Sequence, residues 1–211
     1  FIIMNKQYWN KYYSKKKGLD EPSSFSVHVC NMMSQGEAIL ELGCGNGRDS
    51  FFFANHGFQV YALDQSEIVI TQIRKENINP MFICKDILSI EENFPYTINH
   101  GYARFVLHAL SKTEADKAIQ MMSRILPPNG LFFTESRSVK SNLYGTGDFL
   151  GHDIYSTDHK RRFIHKKDLI HQLESNGFTI ESVMESDGLA IYKDDDPVVI
   201  RINARKNSNI L

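Results

Sequence analysis

The chain has 211 residues, of which 42% are hydrophobic and 23% charged, and this size and composition predict one globular domain over residues 1–211. A formal net charge of −1 gives no overall reason to bind nucleic acid, and no apolar run reaches the roughly 18 residues of a membrane span, so neither is an expected partner. Because Cys30, Cys44 and Cys84 have no paired or metal-like spacing, we expect no disulfide framework, no metal site and a cytoplasmic location.

The N-terminal segment is rich in aromatic residues and precedes the regular part of the chain. It contains the run Tyr8-Trp9-Asn10-Lys11-Tyr12-Tyr13. We expect residues 1–36 to form a helical lid over a binding site. A helix that packs its aromatic side chains against the edge of the domain is the alternative.

Short β-rich runs alternate with amphipathic stretches from Glu37 onward. The predicted strands are Ala38–Leu42, Gln59–Leu63, Met81–Lys85, Thr97–Tyr102, Leu131–Thr134, Phe178–Met184 and Val198–Ala204. The predicted helices are Arg48–His56, a helix from Ser66 to about Asn77, one that begins at the Ser111–Glu114 capping box, and His165–Asn176. The alternation is typical of βαβ units, so the predicted fold is α/β, with a mainly parallel, doubly wound sheet and helices on both faces.

A long stretch after the fifth predicted strand has little apolar periodicity. It extends from Ser136 to about Lys160 and contains Gly145, Gly147 and Gly151. Loops of this length are usually functional. We therefore expect residues 136–165 to form a substrate loop.

A glycine-rich turn follows the first predicted strand. The sequence Glu41-Leu42-Gly43-Cys44-Gly45-Asn46-Gly47 places three glycines two residues apart, where backbone N–H groups can approach a ligand closely. Arg48 stands where the dinucleotide fingerprint of dehydrogenases has its last glycine, which disfavours a pyrophosphate site. The turn resembles the first motif of the class I S-adenosylmethionine methyltransferases.

The resemblance covers residues 37–204 and implies a particular version of the fold and a particular cofactor. It implies a seven-stranded sheet in which the last hairpin inserts an antiparallel strand. It also implies S-adenosylmethionine as cofactor and S-adenosylhomocysteine as product. The residues expected to bind the cofactor are Glu41, Gly43, Cys44, Gly45, Asn46, Gly47, Asp64, Gln65, Asp86, Ile87 and Arg104.

The roles expected for these residues differ. Asp64, at the end of the second strand, can accept hydrogen bonds from both ribose hydroxyls, and capping of the next helix is a compatible alternative. Asp86 and Ile87 resemble the pair that holds the adenine in this family, with a plain turn as the alternative for Asp86. The resemblance implies that Glu41 organises the glycine loop, as the acidic residue of this motif does in the family. Cys44 is interpreted as a small side chain that fills space in the turn.

The segment after the fourth strand is where this fold brings an acceptor to the methyl group. The Asn/Asp-Pro-Pro-aromatic motif of enzymes that methylate DNA bases is absent from Arg104-Phe105-Val106-Leu107-His108. His108 resembles the general base of several small-molecule O-methyltransferases, and a satisfied structural histidine is the alternative. Arg104 is expected either to bind an anion or to form a structural salt bridge. The residues expected to contact the acceptor are Tyr12, Arg104, Arg137, Tyr144, His152 and Arg161.

These features together predict an enzyme that transfers a methyl group to an oxygen of a small anionic or nucleotide-linked acceptor. Gly43-Cys44-Gly45-Asn46-Gly47-Arg48-Asp49-Ser50 resembles the tellurite and thiopurine type of methyltransferase. Glu135-Ser136-Arg137-Ser138 and the long loop resemble enzymes of bacterial surface-polysaccharide clusters, including those that make methyl phosphoramidate decorations on capsules. A cofactor-binding module without catalysis and a protein methyltransferase remain alternatives.

Overall fold

The computed structural model describes residues 6–15, 18–74, 78–90 and 94–208. The strands are β1 Ala38–Leu42, β2 Gln59–Asp64, β3 Met81–Cys84, β4 His100–Arg104, β5 Leu131–Arg137, β6 Asp148–Phe149, β7 Ile154–Ser156, β8 Lys160–Arg162, β9 Phe178–Ser186 and β10 Val199–Lys206. The α-helices are α1 Lys6–Lys15, α2 Ser24–Cys30, α3 Arg48–Asn55, α4 Glu67–Ile73, α5 Lys112–Ile125 and α6 Lys166–Ser175. Two short 3₁₀ helices span Ile87–Ser89 and Leu107–Ala109. No helix within these ranges combines the length and the apolar character that crossing a bilayer requires.

Seven strands form one sheet in the order β3-β2-β1-β4-β5-β10-β9. The strands from β3 to β5 pair in parallel, whereas β10 runs antiparallel to both of its neighbours. This order confirms the predicted fold class, including the antiparallel strand that the last hairpin inserts. The carboxyl ends of β1, β2 and β4 meet at one edge, where a doubly wound sheet binds its ligands.

Hydrophobic cores cover both faces of the sheet. On one face, Leu40 and Leu42 of β1 pack in a cluster with Ile119 of α5 and Leu173 of α6. On the other face, Ile39 packs in a cluster that includes Phe25, Phe53 and Val69 from α2, α3 and α4. Alternating strand residues therefore supply two cores, as expected for a sheet buried on both faces.

Several observed bounds differ from the predicted ones. The fourth strand begins at His100 instead of Thr97, because pairing with β1 starts at the Ile39–His100 register. The fifth extends to Arg137, because β10 pairs along its whole length, so Glu135 lies inside the strand and is fully buried. The helix expected to reach about Asn77 ends at Ile73, and residues 75–77 lie outside the described ranges.

The stretch from Ser136 to Lys160 was expected to be a loop and instead contains a small antiparallel sheet. Strands β6, β7 and β8 form it, with β7 in the middle. The first two have only two and three residues, too short for alternation to be read from the sequence. We call residues 148–162 the β-hairpin region. Its last strand, β8, carries Lys160, Arg161 and Arg162.

Candidate functional site

The glycine-rich turn adopts a backbone that side chains other than glycine rarely adopt. Gly43, Gly45 and Gly47 have φ values of 68°, 53° and 78°. A Cβ on Gly43 would lie 2.6 Å from Cγ2 of Val106, and a Cβ on Gly45 would overlap the hydroxyl of Tyr13. The glycines are therefore required both by conformation and by close packing.

Asp64 fixes this turn from the end of β2. Its Oδ2 accepts the N–H of Gly45 at 2.9 Å, and its Oδ1 accepts the N–H of Ser66 at 2.8 Å. Burial raises the pKa of Asp64, while these backbone N–H groups lower it. The buried carboxylate keeps lone pairs for further donors, because each oxygen can accept more than one hydrogen bond.

Two further buried carboxylates line the cavity beside the turn, Glu41 in β1 and Asp49 at the start of α3. Glu41 accepts a hydrogen bond from the Ser50 hydroxyl, and burial together with the nearby Asp49 raises its pKa well above 4.5. Asp49 accepts hydrogen bonds from Ser23, at its backbone N–H and its hydroxyl, and from the Tyr102 hydroxyl at 2.9 Å. Asp49 thus joins α2, α3 and β4, a role that its sequence position does not reveal.

A cavity of about 270 Å³ lies over the turn, at the carboxyl ends of the strands. Many of the residues expected at a cofactor or acceptor site line it: Tyr12, Glu41, Gly43, Cys44, Gly45, Asn46, Asp64, Gln65, Ile87, Arg104 and Arg137. Two expected cofactor residues are not among the lining residues. Gly47 faces Phe82 and Phe51, and Asp86 is exposed and accepts the N–H of Leu88 at 2.9 Å.

Helix α1 forms one wall of this cavity. Trp9 and Tyr13 line it beside Tyr12, although the sequence singled out only Tyr12. The helix is held by hydrogen bonds at both sides of the cavity: Ser66 donates to Asn10 at 2.6 Å, and Tyr8 donates to Asp158 at 3.2 Å. Electron-rich ring faces at this position suit a sulfonium or another cation.

Phe105 lines the same cavity and lies close to two arginines. The Arg104 and Arg137 guanidinium carbons are 4.2 and 5.5 Å from the centre of its ring. Nε of Arg104 pairs with buried Glu135 at 2.8 Å, and Arg137 pairs with Asp195. Phe105 has a φ of 59°, a strained conformation for a residue with a side chain, and such strain clusters at functional sites. No sequence pattern predicts that Phe105 belongs to the site.

A second cavity of about 130 Å³ adjoins the first. It is lined by Tyr8, Trp9, Phe105, His108, Ala109, Arg137, His159, Lys160 and Arg161. Trp9, Phe105, Ala109 and Arg137 line both cavities, so the two are neighbours. We call this second space the cationic chamber. The other expected acceptor residues lie elsewhere: Tyr144 donates to Asp153 at 2.8 Å, and neither Tyr144 nor His152 lines either cavity.

His108 is buried in the wall of the cationic chamber. Its Nδ1 accepts the backbone N–H of Arg137 at 3.2 Å. Burial lowers the pKa of His108 well below 6.5, and the nearby Arg137, Arg161, His159 and Arg162 lower it further. The ring is therefore neutral at pH 7, and the accepting Nδ1 assigns its proton to Nε2. In this state His108 is a hydrogen-bond donor, and its role as a general base stays a prediction.

The order of the strands, the glycine turn and the adjoining cavities define a Rossmann-like fold of the methyltransferase type. Residues 39–130 match the family model described as "Methyltransferase domain". A crystal structure of a methyltransferase from Methanosarcina mazei superposes with a TM-score of 0.71 at 16% identity, covering 86% of this chain and 98% of that one.

Two curated relatives match over part of the chain. "Phosphoethanolamine N-methyltransferase 1" of Zea mays is 36% identical over 110 residues, which is 48% of this chain and 21% of the relative. "Probable S-adenosyl-L-methionine-dependent methyltransferase TehB" of Haemophilus influenzae is 30% identical over 94 residues, 42% of this chain and 32% of the relative. The chain thus spans about a fifth to a third of the length of these relatives.

The fold, the order of the motifs and the matches agree with the class I S-adenosylmethionine-dependent methyltransferases, and the family match itself covers residues 39–130. Enzymes of this class use S-adenosylmethionine as their methyl donor, which confirms the expected class and cofactor.

Proposed function

We propose that this protein transfers a methyl group from S-adenosylmethionine to an ionised oxygen of a small anionic acceptor. The adjacency of the two cavities carries the proposal: a cavity over the glycine turn shares Trp9, Phe105, Ala109 and Arg137 with a smaller cationic one. Catalysis of this kind depends mainly on holding the reacting groups in line. The shared wall is where the reacting groups would meet.

The residues of the larger cavity fit the cofactor. Gly43, Gly45 and Asn46 of the glycine turn line this cavity, and Asp64 presents there a buried carboxylate suited to ribose hydroxyls. The rings of Trp9, Tyr12 and Tyr13 suit the sulfonium. When bound, the cofactor supplies an electrophilic methyl group, and the protein's part is to hold it and exclude water.

The state of His108 supports an acceptor that needs no proton removed. Transfer to an ionised oxygen forms the oxygen–carbon bond as the carbon–sulfur bond breaks, and no proton is released. A neutral His108 whose Nδ1 is already hydrogen-bonded is well placed to donate to such an oxygen from Nε2. Transfer to a hydroxyl would instead require a base with a pKa nearer the working pH.

A phosphorylated or phosphoramidate acceptor fits this proposal best. The matched maize relative is named as an N-methyltransferase of phosphoethanolamine, so it supports a small phosphorylated acceptor and not the choice of an oxygen. We extend the proposal to the methyl phosphoramidate step of capsular polysaccharide synthesis, on the resemblance of Glu135-Ser136-Arg137-Ser138 and the following stretch. A non-catalytic module and a protein methyltransferase are the competing functions.

The test uses cofactor labelled in its methyl group and the purified chain. It is incubated with phosphorylated, phosphoramidate and hydroxylated small molecules, and the label is followed into small-molecule and macromolecular fractions. We expect label in the small-molecule fraction, for acceptors with an ionised oxygen, at a rate that follows the acceptor's own ionisation, which for a phosphoryl group lies at about pH 6, and not the protonation of a catalytic base. Cofactor binding without any transfer would favour the module, and label in protein would favour the protein methyltransferase.

A further inference from the structure

We propose that the cationic chamber is a binding site for a phosphoryl group of the acceptor, with Arg161 and Lys160 of β8 as its principal ligands. This inference rests on the proposed function, which gives the chamber its place beside the transferred methyl group. It adds the identity of the anion and of the side chains that bind it.

The charges around the chamber point to an anion. Arg137, Lys160 and Arg161 line it together with His108 and His159, and none of the described residues that line it is acidic. Burial lowers the pKa of His108 in the chamber wall, and the nearby Arg137, Arg161 and Arg162 lower it further. An arginine fork and a lysine ammonium are the side chains that proteins use for phosphoryl groups.

The arginines are held in place by carboxylates. Arg161 donates through Nη1 to Asp158 at 2.7 Å and to Thr157 at 2.8 Å, and its side chain is only 13% exposed. Arg137 is held in the same way by Asp195. Because a guanidinium has five N–H donors, these contacts orient the group and leave donors for a ligand.

The size and the walls of the chamber limit what it can hold. A volume of about 130 Å³ accommodates a phosphoryl group and a few further atoms. Tyr8 and Trp9 of α1 close one side, with ring centres 4.6 and 5.5 Å from that of His159. The phosphoryl group would therefore be held between α1 and β8. The rest of the acceptor would then point to the wall that the chamber shares with the larger cavity.

Calorimetry tests this inference with inorganic phosphate as the probe and with S-adenosylhomocysteine titrated separately into the same protein. We expect the wild type to bind both. Arg161→Gln and Lys160→Gln should each weaken phosphate binding about tenfold and leave S-adenosylhomocysteine binding unchanged, since each removes one charge-assisted contact. The matched control is Arg205→Gln, whose arginine also pairs with a neighbouring carboxylate, Glu181, but lies away from the chamber.

A second substitution changes the affinity in the opposite direction. Asp158→Asn removes the carboxylate that competes for Arg161, so we expect phosphate to bind more tightly, whereas Glu181→Gln should have no effect. Phosphate binding that is absent in the wild type, or unaltered in the three chamber variants, would overturn the phosphoryl site. A wild type that binds phosphate but not S-adenosylhomocysteine would instead overturn the proposed function. The failure of the phosphoryl site and the failure of the proposed function are therefore distinguishable.

Discussion

Asp64 holds the glycine turn through two backbone N–H groups and also faces the larger cavity. We expect Asp64→Asn to weaken S-adenosylhomocysteine binding by about tenfold to a hundredfold, because an amide supplies one acceptor oxygen where the carboxylate supplies two charged ones. Isothermal titration calorimetry measures the change.

The control for this substitution is Asp116→Asn on α5, whose side chain accepts a hydrogen bond from Asn176 and lies far from the cavity. The Asp116→Asn protein should bind S-adenosylhomocysteine as tightly as the wild type does. An Asp64→Asn protein that binds S-adenosylhomocysteine as tightly as the wild type would contradict the role assigned to the carboxylate.

Single residues of the site differed in how readily the sequence revealed them. Asp64 and Glu41 follow from their positions at the ends of strands beside a glycine turn, a local pattern. Phe105 does not, because its positive φ and its contacts with two arginines depend on the partners of β4 and β5. Asp195 is equally hidden, since it lies 58 positions beyond Arg137 in the sequence and meets it only in the folded chain.

At the scale of elements, α1 contacts the glycine turn through Tyr13, whose hydroxyl occupies the space that a Cβ on Gly45 would need. We expect Gly45→Ala to displace α1 and weaken S-adenosylhomocysteine binding. Trp9 is the single tryptophan of the chain, so its fluorescence reports the change directly, as a shift of emission to longer wavelength.

A double variant separates this displacement from backbone strain. Tyr13→Phe removes the overlapping oxygen, so Gly45→Ala with Tyr13→Phe should recover part of the wild-type emission. The φ of 53° at position 45 still disfavours alanine, so recovery should be incomplete. Emission unaltered by Gly45→Ala would show that α1 does not pack on the turn.

Arg162 joins the β-hairpin region to the 3₁₀ helix that carries His108. Its Nε and Nη2 donate to the carbonyls of Leu110 and Leu107 at 2.8 and 2.9 Å, and burial lowers its pKa to about 10. We expect Arg162→Met to lower the free energy of unfolding by about 2–4 kcal/mol, because two buried carbonyls lose charged donors. Urea titration measures it, with Arg205→Met as a half-buried control whose arginine donates to the single carbonyl of Asn129; equal effects in both variants would contradict this role.

The sequence predicted those features of the helices and strands that depend on residues close together in the chain. The Ser111–Glu114 capping box and the Ser66 cap are both observed, because these contacts lie within one helical turn. The bounds of β4 and β5 were wrong because pairing with distant strands sets them. The β-hairpin region was missed for the same reason, together with the chamber wall that β8 supplies.

At the scale of the whole molecule, the two cavities are lined by buried groups whose protonation changes stability in opposite directions with pH. The pKa of His108 is lowered by burial and by arginines, whereas burial raises that of Glu41. Below pH 6.5 the unfolded chain binds a proton at His108 that the folded chain does not, so His108 reduces stability as the pH falls. Glu41 acts in the opposite sense, since its protonated form is favoured in the folded protein.

Comparison with a variant separates the contribution of His108 to the pH dependence of stability from the contributions of the other groups. His108→Gln keeps an acceptor for the Arg137 N–H and removes the titration, so it should reduce the stability lost between about pH 7.5 and pH 5.5 by up to about 1.4 kcal/mol. Urea unfolding at both pH values gives the difference. His171→Gln, on an exposed position of α6, should lose as much stability as the wild type. An equal loss in His108→Gln would show that the buried ring takes up its proton without unfolding, and His108 would then be available as a general base after all.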